Sequence, residues 1–249
     1  MNARNTHADI QTETKTDLAA ALRSASRMGL AEGVCNHFSL AVPGSDDRFY
    51  INPQGLHWSE VTPGDIVTVD VGGNVVEGRH KVEPTAFFIH SRIHRGNRNA
   101  RCVLHTHMPF ATALTLLEMG RLEPVSQNAM KFYGKVAYDD QYNGLALDDA
   151  EGDRMMRCLG NASVLFLANH GVVVTGESVA YAFDDLYYLE RACMVQVLAE
   201  STGKRLRPIA RHIAEATVRQ MDADRTQSML HFASLKRLLD RDEAGWRSA

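Results

Sequence analysis

The chain has 249 residues, of which 45% are hydrophobic and 23% are charged, as is typical of a soluble globular protein. The formal net charge of −3 argues against a basic surface for nucleic acid or an anionic membrane, so we expect neither partner. The polar N-terminus predicts no secretory signal, and no apolar run is long enough to predict a membrane span. Four scattered cysteines without a CxxC pair favour a reducing compartment, so we expect a cytoplasmic protein.

The N-terminal part predicts a tail, a helix and several strands. We expect residues 1–14 to form a flexible tail and residues 15–249 to form one domain with a helical C-terminal extension. Apolar residues recur at helical spacing from Leu18 to Met28, and Gly29 is a suitable end for that helix. The segments HFSLAV and RFYI are typical of strands, and DIVTVDVGGNVVEG is typical of a hairpin.

Two helices and a buried strand are predicted in the middle of the chain. The segment PTAFFIHSRIHRG begins with Pro84, a favoured first residue of a helix, and ends at Gly96. The apolar run RCVL predicts a buried strand, and a further helix is expected from Pro109 to Met119.

The second half of the chain is predominantly helical. The segment EGDRMMRCLG is typical of a helix and VLFLA of a strand. Residues 178–200 place apolar side chains on one helical face behind the cap Ser178, and roughly the last 45 residues are mostly helical. Interleaved strands and helices with short connections predict a single α/β domain, and the hairpins predict a sheet that is at least partly antiparallel.

Three histidines follow two of the predicted strands. His105 and His107 come after the run RCVL, and His170 comes after VLFLA. Residues two apart on a strand point to the same side, so we expect His105 and His107 to project together. Three imidazoles with an open fourth position commonly hold a catalytic Zn²⁺ ion. These residues are therefore candidate metal ligands; for each histidine taken singly, a hydrogen-bonded structural role is the alternative.

Four segments, in the same order along the chain, resemble those of the class II aldolase/adducin head family. They are GVCNHFSL, INPQGLHWSEVTPGDIVTVD, HTHMPFATAL and NHGVVVTGESVAYAF, and the similarity extends from about residue 17 to residue 200. The resemblance implies an α/β fold, a single-domain α/β/α sandwich with a central, largely antiparallel sheet. It also implies a homotetramer with active sites between adjacent subunits.

The same resemblance implies a metal centre. His105, His107 and His170 would be the ligands of one divalent metal ion per subunit. Zn²⁺ is the expected ion, and Mn²⁺, Fe²⁺ and Co²⁺ are alternatives because three imidazoles accept each of them.

One segment departs from the sugar-phosphate aldolases of this family, which have a Ser-Ser-Glu sequence before the metal-binding strand. The corresponding residues here are Pro84, Thr85 and Ala86. Proline has no N–H to donate to a phosphate, and alanine can neither bind a metal nor transfer a proton. Only Asn36, Gly55 and Thr85 remain of the phosphate-binding residues, so we expect a non-phosphorylated substrate.

Three residues are candidates for proton transfer: His90, Glu83 and Tyr142. His90 and His94 are four residues apart and could share one helix face, but for His94 a structural role is favoured. For Glu83 the favoured alternative is a solvated residue before the helix. The resemblance places Tyr142 across a subunit boundary, and its alternative is simple packing.

Five residues are candidates for binding the substrate. They are Asn36, His37, Gly55, Thr85 and Lys81. His37 replaces the small residue that often follows this asparagine in the aldolases, so it should lie beside the substrate. For Lys81 the alternative is an exposed charge, which is the usual situation for a lysine.

Decarboxylation is the lyase reaction that fits the remaining residues. Removal of a proton from carbon requires a positioned base, whereas loss of CO₂ leaves its electron pair behind. We therefore expect a metal-dependent carbon–carbon lyase that decarboxylates a non-phosphorylated, hydroxylated carboxylic acid, aromatic acids included, through a metal-stabilised enolate. The family contains decarboxylases of this kind, so the resemblance implies the same reaction.

Two other functions stay open at this stage. One is an aldolase or retro-aldolase for a small hydroxy-oxo acid, which would release an aldehyde or pyruvate instead of CO₂. The other is a non-catalytic, adducin-like interaction module. Adducin heads generally lack intact metal ligands, whereas all three histidines are present here, so this module is the least favoured.

Overall fold

The computed structural model describes residues 3–97 and 99–248. Within these ranges, eight strands form one sheet. The strands are β1 (His37–Ala41), β2 (Arg48–Ile51), β3 (Val67–Asp70), β4 (Val75–Glu77), β5 (Cys102–Thr106), β6 (Val136–Asp139), β7 (Val164–Leu167) and β8 (Gly171–Gly176).

Eight α-helices accompany the sheet in the same part of the chain. They are α1 (Ala3–Arg27), α2 (Pro84–Gly96), α3 (Pro109–Thr115), α4 (Gln127–Met130), α5 (Asp149–Leu159), α6 (Val179–Glu200), α7 (Arg211–Ala223) and α8 (Thr226–Asp242). The helix α2 has the bounds that its proline and glycine predict. The helix α3 ends earlier than the predicted Met119.

The strand order in the sheet is β4-β3-β2-β1-β5-β8-β7-β6. The pairs β1–β2, β1–β5, β2–β3, β3–β4, β5–β8 and β7–β8 are antiparallel, and β6–β7 is parallel. The prediction of a central, largely antiparallel sheet is therefore confirmed.

The two faces of the sheet carry separate cores because successive strand residues point to opposite sides. In β5, Cys102 and Leu104 pack into a large cluster with residues of α1, α3, α6 and α8. Val103, which lies between them, packs on the other face with Ile89 and Ile93 of α2 and with residues of α5. This arrangement is an α/β/α sandwich, and it places His105 on the same face as Val103, beneath α2.

The first helix begins earlier than the sequence analysis predicted. The helix α1 already includes residues 3–14 of the expected tail, while residues 1–2 lie outside the described ranges. A contact with the C-terminal helix accounts for part of this difference, because the Lys236 ammonium of α8 lies 3.1 Å from the Glu13 carboxylate. The mobility of this segment and a domain boundary at residue 15 stay predictions.

Within the described ranges, none of the helices combines the length and the apolar character needed to cross a bilayer.

Candidate active site

The structure brings together the three histidines that the sequence analysis selected. His105 lies in β5, His107 follows the last residue of that strand, and His170 directly precedes β8. Because β5 and β8 are antiparallel neighbours, the end of one lies beside the start of the other. The ring centroids of His105 and His107 are 5.1 Å apart, and the His170 ring lies 4.8 Å from each. One potential ligand atom from each residue lies within 4.8 Å of the others.

The backbone of β8 fixes the orientation of His105. The Nδ1 atom of His105 lies 3.0 Å from the carbonyl oxygen of Val172. A carbonyl oxygen can only accept a hydrogen bond, so Nδ1 holds the proton and Nε2 keeps its lone pair. The side chain is almost fully buried, with 2% of its surface exposed. A metal-binding histidine typically has this arrangement, with its other ring nitrogen donating to an oxygen.

His107 is held by two residues from the segment before β1. The carboxylate of Glu32 contacts Nδ1 of His107, and the side-chain oxygen of Asn36 accepts from the His107 backbone N–H at 3.2 Å. Asn36 reaches this position with a φ of 71°, in the left-handed region that asparagine tolerates better than most residues. The Nε2 atom of His107 is buried and has no hydrogen-bond partner among the described residues.

A tight turn between β7 and β8 positions His170. Asn169 has a φ of 55°, and its N–H donates to the carbonyl oxygen of Thr115 at 3.0 Å. Gly171 then passes so close to the other ligands that a Cβ there would lie 2.5 Å from the Thr106 carbonyl oxygen. The same Cβ would lie 2.8 Å from Cδ2 of His107. Only glycine permits this approach, so its role is to let the His170 turn pack against the end of β5.

These three rings fit a divalent metal ion. The Nδ1 atoms of His105 and His107 each contact an oxygen atom, so Nε2 of each ring keeps its lone pair for coordination. The Nε2 of His107 is also buried and has no hydrogen-bond partner among the described residues. Burial, and then the neighbouring rings, lower the pKa of His170 to about 4 and that of His105 well below its usual value. Both rings are therefore neutral at pH 7, the form in which imidazole binds metal.

His37 lies next to the three-histidine cluster. His37 is the cross-strand neighbour of His105, and their rings are stacked with centroids 6.1 Å apart. The Nε2 atom of His37 lies 3.3 Å from a carboxylate oxygen of Glu83. His37 therefore lies beside the strand that carries His105, and its predicted contact with a substrate stays a prediction.

Glu83 is the N-cap of α2, not a solvated residue before it. Its carboxylate accepts from the backbone N–H of Ala86 at 2.9 Å and from the hydroxyl of Thr85. Burial raises the pKa of Glu83, but hydrogen bonds from His37, Thr85 and the α2 backbone outweigh it and lower the pKa to about 2. Glu83 is therefore ionised at neutral pH, and its carboxylate lies beside His37.

His90 lies on the buried face of α2, with none of its surface exposed. Its Nδ1 is 2.6 Å from the hydroxyl of Ser39, and its ring centroid is 5.9 Å from that of His37. Its Nε2 is buried without a hydrogen-bond partner among the described residues. Burial, and then the proximity of His37 and His94, lower the pKa of His90 well below its usual value.

The proposed remnants of a phosphate site are used differently here. The side-chain oxygen of Asn36 accepts from the backbone of His107, and the hydroxyl of Thr85 donates to Glu83. Gly55 lies in an exposed turn with a φ of 85°. Ala86, where the aldolases have glutamate, is fully buried in an apolar cluster between α2, β2 and β3. That the substrate is not phosphorylated stays a prediction.

Two candidate residues are exposed in the single chain. Tyr142 is 53% exposed and lies in the segment after β6. Lys81 is exposed, and its described contact is a backbone one, in which its carbonyl oxygen accepts from Gln54. The roles predicted for both residues stay predictions.

Sequence reasoning did not select Glu32 or Ser39. Glu32 lies 75 positions before His107, and no local pattern indicates that contact. Ser39 could have been found, because it lies two residues after His37 on the same strand face and His90 and His94 share a helix face above it.

Comparison with known proteins identifies the family. The sequence profile of the Class II Aldolase and Adducin N-terminal domain matches residues 16–197. The chain is 35% identical over 242 residues to an aldolase class 2 protein of Pseudomonas aeruginosa, covering 94% of this chain and 92% of that protein. It is 31% identical over 239 residues to Decarboxylase NovR of Streptomyces niveus, covering 94% of this chain and 88% of that protein.

A solved structure agrees with this result. The aldolase II superfamily protein from Pseudomonas syringae superposes with a TM-score of 0.89 at 35% sequence identity, and 96% of each chain is covered. The protein therefore belongs to the class II aldolase and adducin N-terminal domain family, as the sequence motifs indicated.

Proposed function

We propose that this protein is a metal-dependent carbon–carbon lyase that decarboxylates a non-phosphorylated, hydroxylated carboxylic acid, aromatic acids included. The observation on which the proposal depends is the cluster of His105, His107 and His170, with its buried and unpartnered Nε2 atom. When bound there, a divalent cation would supply Lewis-acid chemistry, drawing negative charge towards a substrate oxygen.

The residues of α2 favour decarboxylation over removal of a proton from carbon. Ala86 offers no base, and the carboxylate of Glu83, with a pKa of about 2, is a weak proton acceptor. Loss of CO₂ needs no base at the carbon atom, only a group that later supplies a proton to it. The buried imidazoles of His90 and His37 could relay a proton from water to that carbon atom. The 31% identity to a protein named as a decarboxylase supports the same reaction class.

An aldolase or retro-aldolase reaction on a small hydroxy-oxo acid is the second candidate. The observation in its favour is the carboxylate of Glu83, 3.3 Å from His37, which could replace the glutamate missing at position 86. A non-catalytic, adducin-like module is less favoured, because such a module has no need of three converging imidazoles.

The site supports three finer proposals. We propose Zn²⁺ as the metal, since tetrahedral sites with three histidines and one open position suit it.

We also propose a homotetramer with active sites between subunits, in which Tyr142 of one chain reaches the cluster of another. A cytoplasmic location is proposed from the four cysteines, which all lie in the described ranges and are unpaired.

The test is product analysis with zinc-loaded protein and a panel of hydroxylated carboxylic acids. CO₂ release with retention of the rest of the acid supports the decarboxylase. Release of an aldehyde or pyruvate supports the aldolase. His105→Ala should abolish both metal binding and turnover, whereas the control His212→Ala, an exposed residue of α7, should change neither. Full activity in the His105 variant would contradict the proposal.

A further inference from the structure

A buried polar chain lies between β1 and α2, next to the three-histidine cluster. It consists of His94, Ser39 and His90, and it ends at the carbonyl oxygen of Ala100. Ser39 and His90 have no exposed surface, and the ring of His94 stacks on that of Phe49 at 5.2 Å. The proposed function gives a role to His90 only, so the presence of Ser39 and His94 in this hydrogen-bonded series requires an explanation.

The hydrogen bonds of this chain allow one arrangement of protons when the rings are neutral. The Nδ1 of His94 lies 3.0 Å from the Ala100 carbonyl oxygen, which can only accept, so Nδ1 is protonated and Nε2 is an acceptor. The Ser39 hydroxyl, 2.7 Å away, donates to that Nε2. Its single proton is then used, so Ser39 must accept from Nδ1 of His90 at 2.6 Å. The Nε2 of His90 is left with a lone pair.

The condition of neutral rings is met. Burial, and to a smaller extent the positive charge of Arg101, lowers the pKa of His94 to about 4, although the hydrogen bond to Ala100 opposes the shift. Burial lowers the pKa of His90 well below its usual value. The rings of His94 and His90 therefore each have one N–H at pH 7, and their hydrogen bonds to Ala100 and Ser39 determine which nitrogen holds that proton.

A second unpartnered ring nitrogen lies near the first, on His37. The Nε2 of His37 faces the Glu83 carboxylate at 3.3 Å, and the ring centroids of His37 and His90 are 5.9 Å apart. Both Nδ1 of His37 and Nε2 of His90 are buried without a partner among the described residues. A buried acceptor without a donor costs about 1–3 kcal/mol, so such atoms attract groups that carry a hydrogen.

We propose that Ser39 and His94 are positioning residues that hold His90 in the tautomer with Nδ1 protonated, so that its Nε2 accepts a hydrogen bond from a hydroxyl group of the substrate. This inference rests on the proposed function and narrows its substrate class. The lone pair on Nε2 of His90 favours a hydroxyl and disfavours a carboxylate, which brings no hydrogen at neutral pH. The substrate carboxylate then binds elsewhere in the site.

The tautomer is tested in metal-free protein by long-range ¹H–¹⁵N correlation spectra of the histidine rings. The wild type should show His90 with a protonated Nδ1 and an unprotonated Nε2. Ser39→Thr and Ser39→Val have nearly the same shape and differ in the hydroxyl. The threonine variant should keep the wild-type pattern, whereas the valine variant should show a mixture of His90 tautomers. His94→Phe, which keeps a ring on Phe49, should resemble the valine variant.

The hydroxyl preference is tested by adding a hydroxylated acid and its O-methyl ether to the same samples. The hydroxylated acid should shift the His90 Nε2 resonance and bind at least about 10-fold more tightly than the ether, because the ether has no hydrogen to donate. Equal binding with no shift would overturn the hydroxyl assignment. A protonated Nε2 in the wild type, or identical tautomers in the threonine and valine variants, would overturn the positioning roles.

These outcomes are distinct from failure of the proposed function. If the tautomer pattern holds but no acid releases CO₂, the lyase proposal fails and the positioning roles survive. If CO₂ is released but His90 has the opposite tautomer, the positioning roles fail and the lyase proposal survives.

Discussion

At the scale of single residues, oxygen atoms that contact Nδ1 of His105 and His107 orient these two rings in the candidate metal centre. Val172 provides a backbone carbonyl for His105, and Glu32 provides a carboxylate for His107. Both contacts leave Nε2 free, so the two rings present the same nitrogen to the centre. Outer partners of this kind affect metal affinity almost as directly as the ligands do.

Replacing Glu32 should therefore weaken metal binding without removing a ligand. We expect Glu32→Ala to reduce zinc affinity by about 10- to 100-fold, because His107 loses the acceptor that orients it. Competition with a chromophoric chelator measures this change. Glu177→Ala is the matched control, since Glu177 is an exposed glutamate at the far end of β8 and should leave the affinity unchanged. Equal affinities for the two variants would show that the Glu32 contact has no role in binding.

The three histidines could be predicted from the sequence, but their supporting residues could not. The ligands follow apolar strand segments, and the period of a strand places His105 and His107 on one side. Glu32 and Asn36 act through contacts with His107 that span 75 and 71 positions, and these depend on where β1 enters the sheet. The role of Gly171 could not be predicted from the sequence either, because it depends on how closely the Thr106 backbone approaches Gly171 in the folded protein.

At the scale of elements, prediction succeeded where local signals mark both ends. Pro84 and Gly96 delimit α2, and Ser178 caps α6 with a hydrogen bond to Tyr181. The strands β6 and β8 were not predicted. The apolar run of β8 directly follows the glycine of the His170 turn and does not alternate, because both faces of the sheet are covered there.

The contact between α2 and β1 should make stability depend on pH. Burial lowers the folded-state pKa of His94 to about 4, below the usual value of 6.5. The unfolded chain therefore binds protons that the folded chain does not, and the stabilisation present above pH 6.5 is lost as the pH falls through 4. Urea unfolding of metal-free protein between pH 7 and pH 4 should show a decreasing free energy of unfolding.

The substitution His94→Phe isolates this effect. It retains a ring against Phe49 and removes one titrating group, so the free energy of unfolding should depend less steeply on pH than in the wild type. An unchanged slope would mean that His94 titrates in the folded protein as it does in the unfolded chain.

At the scale of the whole molecule, apolar side chains are exposed close to the candidate active site. Two segments contribute them, one after α3 and one after β6. The last residue of α3, Thr115, accepts a hydrogen bond from Asn169, and the last residue of β6, Asp139, pairs with Leu167, so both segments start beside the turn that carries His170. The exposed residues are Leu116, Leu117, Met119, Tyr142, Leu145 and Leu147. Met119 is 74% exposed and Leu145 is 71% exposed, which is unfavourable in a lone chain but suited to an interface.

The proposed homotetramer can be tested through these residues. Sedimentation analysis of the wild type should give the mass of four chains. The double variant Met119→Glu with Leu145→Glu should dissociate into smaller species and lose turnover, because charges would be buried at the interface. Val75→Glu is the control, since Val75 is 40% exposed on the opposite edge strand β4 and should keep the tetramer. A wild type that sediments as a single chain would contradict this assembly.

The most direct measurement is an anomalous difference map, recorded at the zinc edge, from crystals of the zinc-loaded protein. The proposed site predicts one strong peak per chain, about 2.0–2.1 Å from Nε2 of His105, Nε2 of His107 and a ring nitrogen of His170, with a non-protein ligand in the fourth position. A peak surrounded by four protein side chains, or zinc bound only away from these histidines, would contradict it.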